Sequence, residues 1–205
     1  MDSYKETFET WNKVATLYQE KFMELDIYNA TYDFICKTIA KPNAKLLDVG
    51  CGPGNISKYI LTQRPDVDIL GIDMAPNMIA LAKQNNPTAN FSVLDIRKIN
   101  TLNSMYDGII CGFSLPYISY SDCENFLKDA YALLHNEALI YISFIEGKHS
   151  NSGFKVASTG DRSYFYYYEL AYLKERLTEN KFHDFNVFKI LYQNKETHTI
   201  ITAKK

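Results

Sequence analysis

The chain has no apolar run long enough to cross a bilayer: the longest, around residues 138–145, falls far short of the roughly 20 residues that a spanning helix needs. No membrane partner is therefore expected. Cysteine is scarce, and Cys36, Cys51, Cys111 and Cys123 show neither the paired spacing of a metal site nor the density of a disulfide framework. Reduced thiols in a cytoplasmic protein, and no metal centre, are the expectation. Charge of one sign is lacking as well. With 22 Lys and Arg against 24 Asp and Glu the formal net charge is -2, and the basic residues are scattered, leaving no stripe for a phosphate backbone. Nucleic acid is not the expected partner. Also missing are a Pro-, Gly- or Ser-rich linker, an internal repeat, and any low-complexity tract other than Tyr164-Phe165-Tyr166-Tyr167-Tyr168. The chain reads as one domain, residues 1–205, and its polar opening Met1-Asp2-Ser3-Tyr4-Lys5-Glu6 leads us to expect a soluble, intracellular protein. No feature of the sequence fixes an oligomeric state.

What is present is concentrated in Leu46-Leu47-Asp48-Val49-Gly50-Cys51-Gly52-Pro53-Gly54. Residues 45–49 form a short apolar run suited to a buried parallel strand, and 55–62 read as the helix that follows. The glycines between them permit positive φ and let a ligand touch the backbone, while Pro53 stiffens the turn. A dinucleotide fingerprint needs a glycine at its sixth place, where this chain has Asn55. Asp48 adds a second objection, since a carboxylate there repels a pyrophosphate and favours a ligand ammonium. The loop is built for a cationic ligand.

Asp48, Gly50, Cys51, Gly52 and Gly54 fit the Asp-x-Gly-x-Gly-x-Gly motif, and at these residues the chain resembles the class I S-adenosylmethionine-dependent methyltransferases. Three further segments follow in order, at 68–73, 90–95 and 106–113, each an apolar strand, the first two tipped by Asp73 and Asp95. Asp73, about 20 residues beyond the loop, is placed to accept both ribose hydroxyls. The resemblance implies that Met74 and Met78 line the adenine pocket, that Asp95 accepts from the adenine amino group with Ile96 offering its N–H, and that Cys111 and Gly112 face the methionine half. It also implies that Tyr18, ending Ala15-Thr16-Leu17-Tyr18, approaches the methionine end. The cofactor is then S-adenosylmethionine and the product S-adenosylhomocysteine.

The remaining pattern completes the fold. Residues 122–135 and 169–180 read as amphipathic helices and 138–145 as a buried strand; 185–192 and 198–203 pair across the turn Gln193-Asn194-Lys195. Alternating strands and helices give an α/β doubly wound sheet. The resemblance implies seven strands in the order 3-2-1-4-5-7-6, with the last antiparallel. Two helices precede the core: 3–22, opened by the capping box Ser3 and Glu6, and 27–39. Their apolar stripe reads either as core packing or as a helical lid over 1–40, with 41–205 expected as the Rossmann-like core.

For the acceptor the signal is thinner. Residues 147–162 read as a mobile loop on the ligand side, and the tyrosine run 164–168 as either a short edge strand or a substrate wall. Tyr117, in Ser114-Leu115-Pro116-Tyr117, half imitates the motif of enzymes that methylate exocyclic amino groups of bases, but departs at Leu115, so that substrate is not carried over. An in-line displacement at a sulfonium methyl needs few catalytic side chains. For a hydroxyl or carbon acid it needs a base, and His149, after the fifth strand, is the expected one, with His135 and His183 at the opposite end of the sheet. The acidic, aromatic-rich composition makes a small molecule the default acceptor. Two rival readings stand beside this: a nicotinamide-dependent oxidoreductase on the same sheet, and a non-catalytic module that only binds S-adenosylmethionine.

Overall fold

The computed structural model describes residues 3–157, 160–193 and 196–205. Five strands run parallel: β1 (Lys45–Val49), β2 (Asp68–Asp73), β3 (Asn90–Val93), β4 (Tyr106–Gly112) and β5 (Leu134–Ile145). With β8 (His183–Tyr192) and β9 (Glu196–Lys204) they build one sheet of order β3-β2-β1-β4-β5-β9-β8, and β9 is antiparallel to both neighbours. Counting only this sheet, β8 and β9 are the sixth and seventh strands, so the expected order 3-2-1-4-5-7-6 is what forms.

The strands are apolar on both faces because both faces are covered. Leu47, Val49, Ile109 and Ile140 enter one core with Phe126 and Leu127 of α6 (Tyr120–Leu133) and Leu173 of α7 (Leu170–Glu179). Their sequence neighbours Leu46, Ile110, Leu139 and Tyr141 point the other way, against Ile35 of α3 (Asn29–Thr38) and Ile56 and Ile60 of α4 (Asn55–Gln63). The period of two along each strand makes this split obligatory. On β2, α5 (Pro76–Asn85) starts with proline in its first turn, where a missing N–H costs nothing. α6 is capped by Ser119, whose hydroxyl accepts from the Asp122 N–H at 3.2 Å.

Several boundaries differ from the sequence reading. The helix expected over 3–22 is broken at Val14 into α1 (Ser3–Lys13) and α2 (Ala15–Phe22). α1 packs on both the strand Arg162–Phe165 and α5, and α2 on α5. α6 ends at Leu133 and β5 starts at Leu134, so His135 sits in a strand and not at a helix end. The stretch 147–162 is largely ordered, holding a 3-10 turn (His149–Asn151) and a hairpin of β6 (Gly153–Val156) with β7 (Arg162–Phe165). The hairpin is clasped to α1: Thr7 Oγ1 accepts from the Tyr164 N–H at 2.9 Å, Thr10 Oγ1 donates to the Arg162 carbonyl at 2.8 Å, and Lys13 pairs with Asp161 at 2.7 Å. Its Ser158 and Thr159, like Asn194 and Lys195 of the expected turn before β9, lie outside the described residues. Among the described residues no helix is long and apolar enough to cross a membrane.

The tyrosine run divides between strand and core. Tyr164 and Phe165 belong to β7, whereas Tyr168 is fully buried, stacks on Tyr120 at 4.7 Å between ring centres, and donates its hydroxyl to the Ile118 carbonyl at 2.7 Å. Tyr168→Phe is expected to lower stability by about 1 to 2 kcal/mol, because it leaves that buried carbonyl unpaired. A urea titration reads the change directly.

Candidate active site

Above the carboxyl ends of β1, β2 and β4 lies a cavity of about 310 Å³, roofed by Trp11 of α1 and by Tyr18 and Phe22 of α2. Its floor is the turn from β1 to α4. Gly50 and Gly52 hold φ of +65° and +55°, which bares their backbone toward the cavity. The turn is tied to β2 at two points: the Cys51 N–H donates to the Ile72 carbonyl at 2.9 Å, and the Gly52 N–H to Asp73 Oδ2 at 2.9 Å. Gly54, at φ +81°, caps α4 with no room for a side chain, since an added Cβ there would lie 2.4 Å from the Asn86 amide nitrogen.

Two carboxylates face this floor. Asp48 is 1% exposed; its Oδ2 accepts from the Ser57 hydroxyl at 2.7 Å, and its Oδ1 is buried with no hydrogen-bond partner among the described residues. Burial is the main force on its pKa, which is pushed up to about 6, with the Ser57 bond opposing and the nearby Asp73 charge adding. Asp73 uses one oxygen for Gly52 and the other for the Ala75 N–H at 2.8 Å, so each keeps a lone pair. Burial raises its pKa too, and the amide bonds pull it back. Tyr18, over Gly52 with its Cε1 3.7 Å from an added Cβ, is held neutral by burial and by both acids, its pKa raised to about 12.

Of the residues singled out in the sequence, the cavity gathers Tyr18, Asp48, Gly50, Cys51, Gly52 and Asp73. Met74, Met78, Ile96, Gly112 and Tyr117 line it as well. Tyr117 meets Trp11 edge-on at 5.1 Å and Phe165 at 5.8 Å. Three others are placed elsewhere. Asp95 caps the 3-10 turn Ile96–Thr101 and is gripped by Arg97, with Nη2 to Oδ2 at 2.6 Å, so its carboxylate is turned from the cavity that Leu94 and Ile96 line. Cys111 points into the opposite core, its Sγ 3.1 Å from Ser114 Oγ, and burial raises its pKa to about 12. His149 is exposed in its 3-10 turn, packed against the Tyr120 ring at 4.3 Å and away from the cavity. The base role assigned to it has no geometric support.

Sequence reasoning missed the far wall of the same cavity: Tyr28, Phe113, Tyr192, Glu196 and His198. The signal was available in the topology. A final strand that runs antiparallel begins where the parallel strands end, so the first residues of β9 stand on the ligand side.

Comparison with known proteins agrees with this geometry. Residues 46–137 match the family described as a methyltransferase domain. The malonyl-[acyl-carrier protein] O-methyltransferase of Acetivibrio thermocellus is 41% identical over 82 residues, which cover 39% of this chain and 29% of that protein. In each curated relative compared, the chain spans less than two thirds of the relative's length. Among solved structures, DhpI in its SAH complex aligns over 98% of this chain and 96% of its own, with a TM-score of 0.75 and 14% identity. The 1,6-didemethyltoxoflavin-N1-methyltransferase of Burkholderia thailandensis, with bound 1,6-didemethyltoxoflavin and S-adenosylhomocysteine, gives a TM-score of 0.76 at 16% identity, covering 98% and 88%. At such identities the likeness is one of fold. A methyltransferase-domain sequence match over residues 46–137 thus sits inside a chain whose whole fold is that of S-adenosylmethionine-dependent methyltransferase structures. The cofactor of that class is S-adenosylmethionine.

The residues present fit that cofactor. The unpartnered Asp48 Oδ1 offers a buried anionic partner to an ammonium, Asp73 has lone pairs left for two hydroxyls, and the bare glycine backbone permits close approach.

Proposed function

We propose that the chain transfers a methyl group from S-adenosylmethionine to a small-molecule acceptor by in-line displacement. The observation that carries this reading is the convergence of Asp48, Asp73 and the positive-φ glycines on one roofed cavity, with one oxygen of Asp48 lacking a partner among the described residues. When bound, S-adenosylmethionine supplies an electrophilic methyl on a sulfonium. The chain's part is to hold and to exclude water: Asp73 fixes the ribose, Asp48 the ammonium, Met78 and Ile96 enclose the adenine, and α1 and α2 close the top. Alignment of this kind is worth up to about 7 to 11 kcal/mol of a displacement barrier. A small acceptor suits a cavity of about 310 Å³ under such a roof.

Calorimetric titration with S-adenosylhomocysteine and, separately, with NADH tests the reading at its base. We expect tight binding of the first and none of the second; the reverse result points to an oxidoreductase. Transfer of a radiolabelled methyl to a metabolite fraction separates an enzyme from a binding module.

The raised pKa of Asp48 gives a pH signature. In the free protein this group favours folding below the ordinary carboxylate value of 3.8, and that contribution is lost as pH rises through about 6. Binding runs the other way, because an ammonium partner stabilises the ionised form and drives the proton off. Affinity for S-adenosylhomocysteine is expected to fall as pH drops below 6, by up to about tenfold per unit for one linked proton. Asp73, raised in the same direction, adds to the slope. Asp48→Asn is expected to bind more weakly at neutral pH and to flatten the profile; an unchanged slope refutes the assignment.

A further inference from the structure

The reading above leaves one buried histidine unused. His198 is 6% exposed, near the start of β9, and pairs with Ile145 at the end of β5 and with Ile190 of β8. Nearly all of its surface is satisfied. Nδ1 shares a hydrogen bond with the Tyr28 hydroxyl. The Tyr192 ring lies flat on the imidazole, 4.9 Å between centres and 14° between planes, and Phe113 meets it edge-on at 5.0 Å. Nε2 is the exception: it is buried and has no hydrogen-bond partner among the described residues, while His198 as a residue lines the cavity. The Glu196 carboxylate stands 3.7 Å from it, beyond hydrogen-bond range.

The sheet order locates this group relative to the cofactor. Across β3-β2-β1-β4-β5-β9-β8 the cavity is lined by Ile96 and Met78 on the β3 and β2 side, by Asp48, Gly50 and Gly112 at β1 and β4, and by Phe113 and His198 toward β5 and β9. If the adenosine half takes the first region and the methionine half the second, the third is left to the acceptor. Phe113 joins the two, since it precedes Ser114, whose side chain fills the space beside Gly50. The walls of this third region are aromatic rings, which suit a flat partner. With Asp48 and Asp73 given to the cofactor, the acid left beside His198 is Glu196, which disfavours an anionic one.

Resting on the methyl-transfer reading, we infer that His198 is the general base of the acceptor half-site, and that the acceptor is a flat, uncharged aromatic ring bearing a hydroxyl. The hydroxyl proton passes to the Nε2 lone pair while the oxygen's electron pair forms the new bond to the methyl carbon. The carbon–sulfur bond breaks with its pair on sulfur, and the positive charge moves from the sulfonium to the imidazolium. In that tautomer Nδ1–H donates to the Tyr28 oxygen. Glu196 stabilises the imidazolium and, with its side chain 52% exposed, gives the proton a way out to water. The groups facing His198 are Tyr28 from the segment before α3, Tyr192 from β8 and Glu196 from β9; Glu146 and Lys189 pair with one another, and Glu146 also takes the Thr199 hydroxyl on the opposite face of β9. Burial holds the His198 pKa below the ordinary histidine value, with Glu196 opposing, so the imidazole is neutral and able to accept a proton at pH 7.

The test uses the whole chain with methyl-labelled S-adenosylmethionine and four probes: phenol, 2-naphthol, 4-nitrophenol, whose hydroxyl ionises without help near neutral pH, and the anionic 2-naphthoic acid. Binding of S-adenosylhomocysteine is measured first. Its absence overturns the methyl-transfer reading and this inference with it; its presence with no label on phenol or 2-naphthol overturns the inference alone. We expect label on the neutral hydroxyarenes and little on 2-naphthoic acid, and equal labelling of the acid refutes the acceptor class. His198→Gln is expected to lower kcat on phenol about 100-fold, to lower it only a few-fold on 4-nitrophenol, and to leave S-adenosylhomocysteine affinity within twofold. An equal loss on both phenols, or no loss, overturns the base role. As a second variant on a half-exposed side chain, Glu196→Gln is expected to move the acid limb of the kcat profile to lower pH, because it removes the anion that raises the imidazole pKa. A limb that stays in place counts against the proposal.

Discussion

Asp73→Ala is expected to weaken S-adenosylhomocysteine binding several hundred-fold at neutral pH, measured by isothermal titration calorimetry. The carboxylate has two jobs that alanine cannot do. Toward the ligand it accepts from the ribose hydroxyls, and a hydrogen bond to a charged group is worth about 1.5 to 3 kcal/mol. Toward the protein it accepts from the N–H groups of Gly52 and Ala75, at 2.9 and 2.8 Å, and so ties the glycine turn to the start of α5. Removal frees both ends of the cofactor floor. Against this stands a gain, since a buried charge disappears, and the raised pKa shows that its burial is costly. The balance is about 3 to 4 kcal/mol, which is several hundred-fold in affinity. Asp73→Asn separates the two jobs, because the amide keeps one accepting oxygen for one of the backbone N–H groups; it is expected to bind more tightly than the alanine variant and more weakly than the native chain. If both variants bind as the native protein does, Asp73 is a turn-former and nothing more.

That prediction rests on a residue legible from the sequence, and the reason it was legible is instructive. Asp48, Gly50, Gly52 and Asp73 act through backbone conformation and strand-end position, and both are set by local spacing: an apolar run, a turn that needs glycine, and a second run ending in an acid. The same logic misplaced Asp95. Its spacing is right, but Arg97, two residues on, reaches back to claim the carboxylate, and its guanidinium is held 4.0 Å from the Tyr4 ring centre of α1. Nothing local to β3 announces that distant ring. His149 was misjudged for a related reason. The end of the sheet on which a loop begins was read correctly, but the contact with Tyr120 that draws the imidazole aside is tertiary. His198 failed in the opposite sense: the antiparallel seventh strand was foreseen, and only the step from strand direction to ligand side was not taken. The hairpin of β6 and β7 was read as a mobile loop because its order comes from α1, through Thr7, Thr10 and Lys13, about 150 residues earlier in the chain.

Gly50→Ala is expected to destabilise the fold by about 2 to 5 kcal/mol, seen as a lower urea midpoint, and to abolish measurable cofactor binding. Two costs combine. At φ +65° an alanine pays for the left-handed conformation, about 1 to 2 kcal/mol. Its Cβ would also lie 2.3 Å from the Cβ of Ser114 and 2.8 Å from its Oγ, a contact that cannot persist. Ser114 has little freedom to retreat, since its hydroxyl donates to the Val49 carbonyl at 2.9 Å and its own carbonyl accepts from the Tyr117 N–H at 3.1 Å. The strain therefore pushes the β1 turn away from β4, at about 1 to 3 kcal/mol for an overpacked site. Gly52→Ala is the matched comparison, because its φ is similar at +55° while the nearest atom to its added Cβ is Tyr18 Cε1 at 3.7 Å, an ordinary contact. It is expected to cost only about 1 to 2 kcal/mol of stability, the conformational part alone. Adding Ser114→Gly to Gly50→Ala removes the collision and leaves the dihedral strain, so it should recover part of the lost stability. Equal losses at Gly50 and Gly52, or no recovery in the double variant, mean that the turn is limited by dihedral strain and that its packing against Ser114 does not matter.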